Sequence, residues 1–311
     1  MNDKPRLYIL VTMNCEPVVA TPGKQKRPMQ HPQTWEQSAR SIEGFCDLAS
    51  SMGYPATLFV SAACAEEHGP LLEELAERKI ELGLYVHPPT LAGSHYVRHL
   101  GNYPAAEQRA MIESAAERFY EAIGSRPRSF RSGAFSASDA TFQVLYELGF
   151  RQSSLSIPGR DLPRDAISWN GAETLPHYVN SNDRLRAGAL PFLELPVTSD
   201  PDRFYIRGFP YELCIENSGV EDWHRPLIEH TLEQLEAKQA PFKALCLFTH
   251  NGLAYYRDDD QHSITLEQLL AYFDTLAERY ELVPTTLAGA HQHFRLMASG
   301  ASPTSVLNLG E

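Results

Sequence analysis

The chain is poor in several features that would define a class. It has five cysteines in 311 residues (Cys15, Cys46, Cys64, Cys214 and Cys246) and no Cys-x-x-Cys pair. An odd, widely spaced set does not frame a disulfide scaffold or a zinc–thiolate knuckle, and a reducing, cytoplasmic setting suits it. Basic residues are scarce beside acidic ones, with 27 Lys and Arg against 39 Asp and Glu. The net charge of −12 would repel nucleic acid and anionic membranes, so neither is expected as a partner. No apolar run approaches the roughly 18 residues a membrane span needs. The short apolar stretch near the N-terminus has no small-residue cleavage site after it and reads as a first strand, not a leader. There is no internal repeat and no low-complexity linker.

What is present is a full complement of core formers, 43% hydrophobic residues and 10% aromatic. Short β-branched runs alternate with helical periodicity. Strands are predicted at Leu7–Thr12, Ala56–Val60, Glu81–Val86, Lys243–Thr249 and Tyr280–Pro284, with another in LPFLELPVT, which begins at Leu190. Helices are predicted over 34–52, 70–79, 105–123, 138–148, 226–238 and 266–279, with Gly53, Gly124 and Gly149 at helix ends. This alternation predicts an α/β architecture of parallel strands with helical crossovers. One domain over residues 1–297 is expected, followed by a polar tail over 298–311. The stretch 156–182 has no clear element, although Trp169, Leu175 and Tyr178 argue against disorder.

Folds of this kind place their chemistry at the carboxyl ends of the strands. Those ends carry Asn14-Cys15-Glu16, then His87, then Arg131, and finally His250. His95 and His99 follow His87 in the same loop, spaced so that a helix would put both rings on one face. These imidazoles are either metal ligands or polar residues of a surface loop. Cys15 reads as a small core thiol, because nothing adjacent supplies a base. Trp169 and Tyr178 suit either a sugar-stacking wall or the core, and His177 is a weaker candidate for the same cavity.

Taken in order, these segments resemble the polysaccharide deacetylase family, also called NodB-homology or carbohydrate esterase 4. TMNCEP stands where the family has its acidic motif, GLYVHPPTLAGSHYVRH where it has its histidine motif, FRSGAFSASDATFQVLYELGF at the arginine motif and LFTHNG at the closing histidine. The resemblance implies a distorted (β/α)7-type barrel. It also implies removal of an acetyl group from a sugar by a water activated on a divalent metal, zinc by preference. The departures are specific. Asn14 occupies the place of the family's general base and Cys15 that of a metal carboxylate. A strict alignment also puts Tyr85 and Pro89 at the two histidine positions. Glu16, His87, His99 and His95 remain as a relocated ligand set, with His250, Arg131, Glu16 and Asn14 as the catalytic candidates. Two functions are therefore compatible with the residues: a hydrolase acting on an acylated sugar or glycan precursor, or a glycan-binding protein on a deacetylase fold.

Overall fold

β1 (Arg6–Cys15) is the central strand, buried from Leu7 onward. The computed structural model describes residues 4–18, 31–91, 95–217 and 219–299. The tail expected over 298–311 lies outside these from Gly300 onward. After β1 come α1 (Trp35–Ser51), β2 (Ala56–Ser61), α2 (Ala62–Glu77) and β3 (Glu81–Val86). α3 (Ala105–Ile123), β4 (Ser129–Ser132), α4 (Thr141–Glu147) and β5 (Gln152–Ser153) follow. The stretch without a sequence signal holds three short strands, β6 (Asp161–Leu162), β7 (Ile167–Ser168) and β8 (His177–Val179). Beyond β9 (Leu190–Glu194) the chain forms a hairpin, β10 (Ser199–Ile206) with β11 (Phe209–Glu212). The last elements are α5 (Arg225–Ala237), β12 (Lys243–His250), α6 (Gln261–Thr275), β13 (Glu281–Pro284) and α7 (Leu287–Ala298).

Seven parallel strands stand side by side in the order β12-β1-β2-β3-β4-β5-β9, with β8 antiparallel at the edge. Irregular backbone brings the two ends of this wall together. Thr198 N donates to Cys246 O at 3.1 Å, and Phe248 N to Leu213 O at 3.0 Å. The distorted (β/α)7-type barrel expected from the sequence is the architecture found.

The two-residue period of the strands decides which side chains reach the interior. On β1, Leu7, Ile9, Val11, Met13 and Cys15 pack with the outer helices, while Tyr8 and Leu10 pack inside the barrel. Thr12, Asn14 and Glu16 continue the inner row, and Cys15 is a buried thiol of the helix layer. On β12 the inner row runs Cys246, Phe248, His250, and on β3 it runs Tyr85, His87. α7 plugs the opposite mouth, where Leu287, Ala290 and Phe294 join Tyr8 and Phe242.

Element ends follow local chemistry. α3 stops at Gly124, whose φ of +75° is the left-handed cap that glycine adopts without strain. α2 begins at Ala62, eight residues before the predicted start. Two helical pieces meet at His68 (φ −111°, ψ 19°), and Pro70 enters the second near its start, where its missing N–H costs little.

Candidate metal and acid-base site

Glu16 lies one residue beyond β1 and is 3% exposed. Asn251, just after β12, clamps its backbone, accepting from Glu16 N at 2.9 Å and donating to Glu16 O at 3.0 Å. The Glu16 carboxylate accepts a 2.6 Å hydrogen bond from the Tyr85 hydroxyl. His87 Nδ1 lies 3.1 and 3.2 Å from the two carboxylate oxygens, and His31 Nδ1 lies 3.8 Å from Oε2. One donor atom from each of Glu16, His31 and His87 falls within 4.8 Å of the others. Ligand atoms about 2.1 Å from a shared ion sit roughly 3–3.5 Å apart, so this trio needs only a small adjustment to close on one.

The turn after β4 shows why His87 holds its place. A Cβ at Gly133 would lie 2.2 Å from His87 Cγ, so the glycine of RSGAF leaves the room that the imidazole occupies. The His99 ring lies near-parallel to that of His87, with centroids 5.5 Å apart, and the His31 ring does the same at 6.2 Å.

The electrostatics suit cation binding. Burial alone would push the Glu16 carboxyl up. His87, His31 and the Tyr85 hydroxyl overcome it and hold the group at about 2. Burial pushes His31 and His99 below the ordinary histidine value, so both favour the neutral form that carries a free lone pair. The Nδ1 atoms of His31 and His99 are buried with no hydrogen-bond partner among the described residues. Unbonded imidazole nitrogens beside an ionised, shared carboxylate are donors of the kind that can hold a divalent transition-metal ion.

A second group faces the same cavity. His250 Nδ1 donates to Glu216 Oε1 at 2.8 Å, the direction fixed by the acceptor-only carboxylate. That leaves His250 Nε2 as the acceptor for Asn14 Nδ2 at 3.2 Å. Asn14 Oδ1 accepts in turn from Arg131 Nη1 at 3.0 Å. Arg131 is fully buried and also donates to Thr12 Oγ1, Ser154 O and Ser154 Oγ, each at 2.8 Å. Its partners are neutral, and burial lowers its pKa to about 10, which leaves it charged at neutral pH. Glu216 also accepts from Thr249 and Cys214. Burial would raise its carboxyl, but His250 draws it below the ordinary range.

The cavity between the groups measures about 210 Å³. Glu16, His87, His99 and His250 line it, opposite Phe135 and Phe209. Arg160, ion-paired to Glu212, lies at its edge.

The structure thus brings together Glu16, His87, Asn14, Arg131 and His250 from the sequence set, with His99 stacked alongside. His95 is exposed and packs on Tyr96, away from the cavity. The helix that would have aligned His95 with His99 is absent: a 3-10 turn, Leu100–Asn102, starts only after His99. Trp169 is core, fully buried and donating to Phe135 O. His177 bonds Leu175 O outside the cavity. Two site residues were not foreseen. His31 lies in a proline-rich loop without periodicity. Glu216 reaches His250 only because the Cys214 backbone bridges to Phe248.

Comparison with known proteins bears on the fold. Residues 34–153 match the polysaccharide deacetylase family, a span that includes His87 and Arg131 but not Glu16, His31 or His250. A Mycobacterium smegmatis protein described as a polysaccharide deacetylase superposes with a TM-score of 0.61 at 15% identity, covering 97% of this chain and 94% of that one. A Pseudomonas aeruginosa PAO1 protein with the same description gives 0.58 at 16% identity, covering 93% and 91%. PuuE allantoinase gives 0.60 at 15% identity, covering 95% and 92%. No curated protein matches the chain. The fold is that of the polysaccharide deacetylases, and the resemblance read from the motifs is borne out.

Proposed function

We propose that the chain is a metal-assisted hydrolase that removes an acyl group, acetyl in the first instance, from a sugar or glycan precursor. The observation that carries this reading is the Glu16 carboxylate shared by two imidazoles, one with an orphaned nitrogen, across a cavity from His250 and its carboxylate. Glu16, His87 and His31 would hold the cation, with His99 next in reach. When bound, a divalent ion such as zinc polarises an acyl carbonyl and lowers the pKa of a coordinated water toward neutrality.

The remaining steps belong to the chain. His250 would give up the hydrogen bond from Asn14 to take a proton from the attacking water at Nε2 and return it to the leaving nitrogen or oxygen, while Glu216 at Nδ1 stabilises the imidazolium. Asn14 cannot act as a base. Its amide passes the orienting influence of Arg131 to His250, holding the ring toward the cavity. Phe135 and Phe209 exclude water from the face opposite the ligands.

One observation favours a second reading. Arg131 has no carboxylate partner among its hydrogen bonds, so the acid-base equipment at Asn14 is neutral and a glycan-binding protein would need nothing more. Acetate release from N-acetylated and O-acetylated sugars, with zinc or cobalt supplied, separates the two. The hydrolase reading expects release by the wild type and loss in His250→Gln. Equal binding of an acetylated oligosaccharide by both proteins, with no acetate from either, would establish the binding protein instead.

A further inference from the structure

A second cleft of about 590 Å³ opens at the other end of the barrel, at the amino ends of the strands. Arg128 precedes β4, Arg151 precedes β5, and His291 and Arg295 come from α7, which plugs this mouth. No residue lining the cleft is acidic, although the chain as a whole carries 39 Asp and Glu. The guanidinium groups of Arg128 and Arg295 make no hydrogen bond or ion pair among the described residues. Arg151 donates from Nη1 to the Tyr146 and Phe150 carbonyls and lies over the Tyr146 ring at 4.8 Å, and none of these partners carries a negative charge. Three arginines with no carboxylate converge on one concave surface of an acidic protein. Like charges held this way repel unless an anion joins them.

We propose that this cleft binds a small phosphate-bearing anion. Arginine forks match the oxygen geometry of phosphate, and three of them suit more than one oxygen pair. The cleft is larger than a bare phosphate requires and falls in the size range of small-molecule sites. Tyr146 and Tyr178 also line it and offer ring faces beside the charges. His291 fits the same picture. Its Nδ1 is tied to Gln152 Oε1 at 2.8 Å. Burial, helped by Arg295, Arg128 and Arg151, pushes it down to about 4, so the ring is neutral at neutral pH. The half-buried Glu81 carboxylate is occupied by Ser129, Thr57 and the Ala288 amide, and does not line the cleft.

Titration calorimetry of the full chain with inorganic phosphate, pyrophosphate and a nucleoside diphosphate tests this at fixed ionic strength. Saturable binding of at least one is expected. Arg128→Ala and Arg295→Ala, both at exposed positions, should each weaken it about tenfold or more with folding intact. Tighter binding of the nucleotide than of pyrophosphate would identify a ring-bearing ligand, and equal binding an inorganic one. Absence of heat from all three probes, or an affinity unchanged in the Arg128→Ala/Arg295→Ala double variant, would overturn the proposal. Because the readout is binding at the far end of the barrel, it is independent of whether the upper cavity hydrolyses anything.

Discussion

Two histidine–carboxylate pairs face one cavity, and they are built for different work. Glu16 is shared among the Tyr85 hydroxyl, His87 and, at longer range, His31, whose Nδ1 has no hydrogen-bond partner among the described residues. In the other pair each His250 nitrogen has one partner, Glu216 on Nδ1 and Asn14 on Nε2. The first pair leaves the His31 Nδ1 lone pair beside a carboxylate that His87 and Tyr85 already share. The second is a continuous hydrogen-bonded chain from Cys214 through Glu216, His250 and Asn14 to Arg131. On the proposed function the same residue types serve as ligands in one case and as a proton carrier in the other, according to which atoms are already satisfied.

Substitutions can break that contrast at either pair. The largest effect is expected from Glu16→Gln, which removes the only carboxylate of the trio. Bound zinc should fall below detection and acetate release should vanish with it, measured by elemental analysis beside the hydrolysis assay. His250→Gln should reduce turnover by about 10²–10⁴-fold, the usual worth of a positioned acid-base group, with zinc content unchanged. Glu216→Gln should cost less, about 10–100-fold, because it weakens the imidazolium without removing the ring. The split between zinc content and turnover separates the two pairs. If His250→Gln lost zinc as fully as Glu16→Gln, the division would be wrong.

A pH experiment sharpens the contrast from the stability side. Glu16 is held at about 2 against an ordinary 4.5, so its contribution to metal-free stability is complete above 4.5 and is lost as pH falls from 4.5 toward 2. Urea unfolding across that window should show a shallower decline in Glu16→Gln than in the wild type. A parallel decline would mean that the shared carboxylate is not held ionised. The smallest effect is reserved for His95→Ala. His95 is exposed beside Tyr96, and its replacement should leave zinc content and turnover within about twofold of wild type.

The barrel and the strand-end residues were legible because they rest on periodicity. Alternation along β1 and β12 puts Asn14, Glu16 and His250 on one inner surface, whatever the loops do. That alternation also explains why Glu16 faces the cavity: Cys15 points outward, so the next inward side chain is Glu16. His31 and Glu216 were not legible, since each reaches the site from an irregular segment whose path depends on tertiary contacts. The His95–His99 spacing misled for the opposite reason. It imitates a helical face where the backbone makes only a 3-10 turn after His99. The hairpin of β10 and β11 and the plug helix α7 went unread as well, although Phe209 of the hairpin lines the cavity.

The most direct test of the shared-carboxylate centre is zinc content after loading and desalting, compared across wild type, His31→Ala, His95→Ala and Glu16→Gln. About one zinc per chain is expected in the wild type and His95→Ala, with strong loss in His31→Ala and Glu16→Gln. A wild type that retains no zinc, or a His31→Ala protein that retains as much as wild type, would contradict the assignment of Glu16, His31 and His87 as one metal site.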